Sequence, residues 1–63
     1  MRLTVRLLDI PKLDDLIEDN EFMRKVLKPD PYGGWHIVAD AIQMKEVERL
    51  LVKNRIRYKL TPI

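Results

Sequence analysis

The side chains able to do chemistry are few, and most sit together. Residues 28–36 hold the only histidine (His36), the only tryptophan (Trp35), both glycines (Gly33 and Gly34), one of two tyrosines (Tyr32) and two of four prolines. His36 with Asp30 or Asp40 is the one acid/base pairing this inventory allows nearby. Asp40 is better placed to cap a helix, and a solvent-facing or locally bonded histidine is the plainer reading. Nucleophilic catalysis finds no material, since serine and cysteine are absent and Thr4 and Thr61 lie far from His36 in sequence. One histidine and no cysteine also leave no thiolate or imidazole cluster for a metal. Gly33-Gly34 follows a helix and precedes a strand, the reverse of a phosphate cradle, so a turn needing positive φ explains it. The chain is expected not to be an enzyme and to carry no metal or cofactor.

Charge is the more informative property. Of the ten acids, six fall within residues 9–21, while Arg2, Arg6, Arg55, Arg57 and Lys59 occupy the two ends with no acid among them. If the first and last strands are neighbours, these five cations form one basic patch on an open sheet face. Such a patch attracts phosphates with marked salt dependence. Outward Lys and Arg also discourage edge pairing, and the patch could instead meet the acidic segment of a second copy. Tyr32 and His36 lie at the rim of this face and complete the candidate contact residues.

The elements that position these residues follow from periodicity. Leu3, Val5 and Leu7 alternate with Arg2, Thr4 and Arg6, as in a strand with one buried face. A helix is expected from about residue 11, with Leu13, Leu16, Ile17, Met23 and Leu27 on one side. Asn20 interrupts that stripe and Phe22 points away from it, so a kink or a second short helix is expected there, with a strand over 22–27 ranked below. Pro29 ends the helix, because the residue before a proline is driven toward extended conformations. Residues 35–39 read as a short strand, burying Trp35. Asp40 and Gln43 have capping-box spacing, and Met44, Val47, Leu50 and Leu51 stripe the following helix. Glu46 and Arg49 can pair, and Asn54 suits the left-handed position after the helix. Residues 55–61 alternate as a last strand, with Ile56, Tyr58 and Leu60 facing in.

These elements predict an α+β, two-layer β-α-β-α-β domain over residues 1–63, with an open three-stranded sheet and two helices on one face. The order resembles an abbreviated ferredoxin-like arrangement whose second strand is missing or reduced to residues 29–34. A chain this short buries only about 60% of the surface its unfolded form exposes, and no disulfide can assist it. Self-association, with a dimer favoured, is therefore the expected stabiliser. No run approaches the roughly 20 apolar residues that span a bilayer, and Arg2 and Arg6 break up the N-terminal apolar stretch. The expected protein is cytoplasmic and does not enter a membrane. Its first expected function is a binding or regulatory module acting by protein–protein contact and self-association. The alternative is a nucleic-acid-binding domain using Arg2, Arg6, Arg55, Arg57 and Lys59.

Overall fold

The alternation around Leu3 does form a strand, though a shorter one than the apolar pattern suggests. The computed structural model describes residues 1–62, and in it β1 spans Arg2–Val5. Leu7 does not continue the strand's buried face. A 3-10 turn over Leu7–Asp9 follows, closed by the Asp9 N–H donating to the Arg6 carbonyl at 2.9 Å, and Leu7 is 83% exposed. Helix α1 then covers Ile10–Asp19, with Pro11 in its first turn where a missing N–H costs nothing.

Asn20 does divide the helical segment. It is extended (φ −125°, ψ 108°), it ends α1, and its side-chain oxygen accepts the Met23 N–H to start α2, Glu21–Val26. The two helices thereby bury Leu13, Met23 and Val26, and Phe22 packs partly against the same core. The expected helix through Lys28 stops early: Leu27–Pro29 is a strand, β2. The pre-proline restriction acts on Lys28 as expected, but its result is a strand and not merely a helix end.

A hairpin returns from β2 to β3, Trp35–Ile37. Its loop is closed by Asp30 N–H to the Gly34 carbonyl (3.1 Å) and Gly33 N–H to the Asp30 carbonyl (3.0 Å). Gly33 and Gly34 have φ of 105° and 72°, so the turn reading of this pair holds. Helix α3, Ala41–Lys53, opens with the reciprocal Asp40–Gln43 capping box and carries the Glu46–Arg49 pair. After α3 it is Arg55, at φ 57°, and not Asn54 that takes the left-handed position. Asn54 instead turns its Nδ2 onto the Leu50 carbonyl at 2.8 Å. Strand β4 is Tyr58–Thr61, shorter than the expected 55–61.

The fold is thus a small α+β domain with a four-stranded sheet of order β2-β3-β1-β4, antiparallel throughout, and three helices. The expected three strands become four because β2 exists, and the expected two helices become three because Asn20 splits the first. Leu27 and Ile37 pair on one face, as do Trp35, Leu3 and Leu60. These residues join Leu13, Met23, Val26, Val47, Leu50 and Leu51 in one core, so the helices cover this face. The other face carries polar residues and stays open. No helix among the described residues is long and apolar enough to cross a membrane.

Candidate functional site

Directly opposed residues of antiparallel strands point to the same side of the sheet. On the open side this aligns Lys28, His36, Arg2 and Thr61 in one row across all four strands. Thr4 and Lys59 form the next rung between β1 and β4. Arg57, just before β4, lines a shallow depression with Thr4, Arg6 and Lys59, and Arg6 lies one residue past β1. Of the expected cationic face, the structure places Arg2 and Lys59 on this side of the sheet and Arg6 and Arg57 just beyond the ends of their strands.

Two of its members are positioned differently. Arg55 sits in the left-handed turn after α3, where its N–H donates to the Val52 carbonyl, and is outside the paired rungs. Tyr32 is 88% exposed at the hairpin tip, beyond the strands. Lys28 was missed, because the sequence placed it at a helix end. The Lys28-Pro29 dipeptide was the available signal, since a pre-proline residue is extended and an extended Lys28 alternates with buried Leu27.

The cations on this face are not equally free. The Arg2 Nε donates to Asp30 Oδ2 at 3.2 Å, while Asp30 Oδ1 accepts the Tyr32 N–H at 2.8 Å. The Tyr32 amide first, then the charge of Arg2, hold the Asp30 carboxyl below its ordinary range against the opposing effect of burial. Arg6 donates to Asp9 through Nε at 2.8 Å. Among the described residues, Lys28, Arg57 and Lys59 form no ion pair. The unneutralised charge therefore lies on Arg57 and Lys59 at β4 and on Lys28 at β2, whose ammonium donates to the Arg24 carbonyl at 3.3 Å, with a neutralised Arg2 between.

The same geometry bears on acid/base chemistry. Asp30 is occupied by Tyr32 and Arg2, and Asp40 accepts the Gln43 N–H at 2.8 Å. Neither carboxylate is oriented by a bond to His36. A shallow depression at one end of the open face is lined by Thr4, Arg6, Arg57 and Lys59, with Val5 and Tyr58. Another lies where Lys12, Asp15, Leu16 and Asp19 approach Asn54. Neither includes Tyr32 or His36. Among the described residues no three His, Asp or Glu side chains converge as metal ligands.

Fold and surface together define a small α+β domain with one helix-covered and one cationic sheet face. The chain matches no protein-family model, no curated protein and no solved structure. Its function is therefore argued from the face itself.

Proposed function

We propose that the protein is a non-enzymatic binding module whose open sheet face takes a nucleic acid. The observation that carries this reading is the open face on which the row Lys28–His36–Arg2–Thr61 is flanked by Arg57 and Lys59, where no carboxylate among the described residues neutralises Lys28, Arg57 or Lys59. Phosphates are bound by Lys and Arg, with hydroxyls such as those of Thr4 and Thr61 as further donors. The strand order β2-β3-β1-β4, with α1 and α2 together as one crossover, supports a complete and not an abbreviated ferredoxin-like reading. That likeness bears on architecture alone, and the function rests on the face.

Fluorescence anisotropy with labelled DNA and RNA at low salt tests the proposal. Wild-type protein is expected to bind, and Lys59→Glu and Arg57→Glu to abolish binding while keeping the native circular dichroism spectrum. Absence of binding, or binding indifferent to both reversals, would falsify the reading.

A second reading is self-association, with protein–protein contact as the function. The exposed acids Asp14, Asp15, Glu18 and Asp19 on α1 favour it, because they complement the cationic face of another copy. The contact would run head to tail, since face-to-face packing opposes cation to cation. Edge pairing receives less support. Edge strand β2 contains Lys28 and Pro29, and edge strand β4 contains Lys59 and is followed by Pro62, residues that blunt a sheet edge. Sedimentation equilibrium decides this second reading: a monomer at high protein concentration and low salt would remove it.

A further inference from the structure

The open face lacks what a single strand needs and has what a duplex needs. Proteins that hold single-stranded nucleic acid stack bases on aromatic side chains. Here Tyr58 pairs with Val5 on the helix-covered side, its hydroxyl 3.3 Å from Glu48. Trp35 is opposite Leu3 and packs against the core. Tyr32 is at the hairpin tip, which leaves His36 as the one ring on the open face.

The charge, by contrast, is divided. Lys28 stands on β2, its ammonium also donating to the Arg24 carbonyl at 3.3 Å, and Lys59 with Arg57 stands on and before β4. Between them β1 presents Thr4 and an Arg2 already engaged by Asp30. Neighbouring strands are about 4.8 Å apart, so the cations on β2 and β4 are separated by roughly 14 Å. The two phosphate backbones bordering the major groove of B-form DNA are separated by about 12 Å. Resting on the proposed nucleic-acid function, we infer that the face straddles the major groove of double-stranded DNA. Lys28 meets one backbone and Lys59 with Arg57 the other, and the flat, hydroxyl-bearing centre reads no bases. The mode is backbone-directed and sequence-independent.

The test uses the full chain with a labelled DNA duplex of about two helical turns. The comparisons are an oligo-dT strand of equal length, an RNA duplex of the same sequence, a second unrelated DNA duplex and poly-glutamate. With three phosphate contacts, from Lys28, Arg57 and Lys59, log K against log salt is expected to fall with a slope of about −2.7. Lys28→Gln and Lys59→Gln should each make the slope shallower by about 0.9 and weaken both DNA duplexes alike. Both positions are exposed, so the variants should melt like wild type, which thermal scans verify. Oligo-dT or duplex RNA binding as tightly as duplex DNA overturns the groove inference, as does a slope unmoved by Lys28→Gln. If those ligands still require Lys59, nucleic-acid binding stands and only the groove geometry fails. If poly-glutamate alone binds, both readings fall and an acidic protein partner takes their place.

Discussion

Asp9 accepts the backbone N–H of Arg57 at 3.0 Å, joining residues 48 positions apart in the chain. Asp9 is 1% exposed and is also reached by Arg6 and Lys12. One carboxylate thus ties the exit of β1 and the start of α1 to the entry of β4, and sets the backbone on which Arg57 is presented. Asp9→Ala strands that N–H and removes the partner of Arg6. It is expected to lower Tm by roughly 5–10 °C. Asp9→Asn keeps an acceptor oxygen and should lose less. Thermal scans at neutral pH separate the two, and equal melting of Asp9→Ala and wild type would contradict the anchor.

The same carboxylate gives the fold an acid limit. Hydrogen bonding from Arg6, then from the Arg57 amide, overcomes burial and lowers its pKa from 3.8 to about 2. A depressed carboxyl stabilises the folded state fully above its unfolded value. That contribution is lost as pH falls through the folded value. Wild-type Tm should therefore decline from near pH 4 toward pH 2, and the Asp9→Asn curve should be flatter across this window. Asp30 and Glu46, also lowered by their partners, leave a residual slope of the same sign. A parallel pair of curves would remove Asp9 from the account.

What could be read from the chain, and what could not, divides by the range of the interaction. The Asp40–Gln43 box and the break at Asn20 are local patterns that took their expected form, and the Leu3 alternation did so as far as Val5. Strand β2 was missed because three residues ending in proline carry too little periodicity to compete with the helix before them. Leu7 was misread because the alternation was extended past the point where the 3-10 turn exposes it. The Asp9–Arg57 bond had no local signal at all. On the candidate face, alternation identified Arg2, Arg57 and Lys59. Lys28 needed β2 to be recognised, and Arg55 needed the correct left-handed residue.

The hairpin glycines make a graded prediction. A Cβ on Gly34 would collide with the Leu3 carbonyl oxygen and stand 3.0 Å from Thr4 Cγ2, at a φ of +72°. Gly33 has open space around it, and only its φ of +105° opposes a side chain. Gly34→Ala should cost roughly 3 kcal/mol and Gly33→Ala roughly 1. Chemical denaturation measures both, and a reversed order would show that the β2–β3 loop does not lie against β1 as described.

Removal of the α3 cap tests whether that helix is held by its end as well as by its core stripe. Asp40 accepts the Gln43 N–H at 2.8 Å and Gln43 returns a bond from the Asp40 N–H at 3.0 Å. Asp40→Ala is expected to destabilise by about 1 kcal/mol. Leu51→Ala, in the buried stripe of the same helix, is expected to cost about 3 kcal/mol. For a domain of this size the second loss is a large part of total stability, so the two denaturation midpoints should differ clearly.

Asp30 neutralises a cation of the open face, and its replacement should give a gain where most variants give a loss. Its Oδ2 binds Arg2 while its Oδ1 holds the Tyr32 amide. In Asp30→Asn the side-chain oxygen can still accept the Tyr32 N–H, so the hairpin keeps its turn. Arg2, no longer neutralised, becomes a free cation in the row between His36 and Thr61. Nucleic-acid affinity at low salt should rise, and the salt slope should steepen by about 0.9, the value of one added phosphate contact. Arg2→Gln in the wild-type background should change the slope little, because its charge is already spent on Asp30. Anisotropy titrations over a range of salt measure both. An Asp30→Asn protein that melts normally yet binds no more tightly would mean that the centre of the face does not meet the ligand.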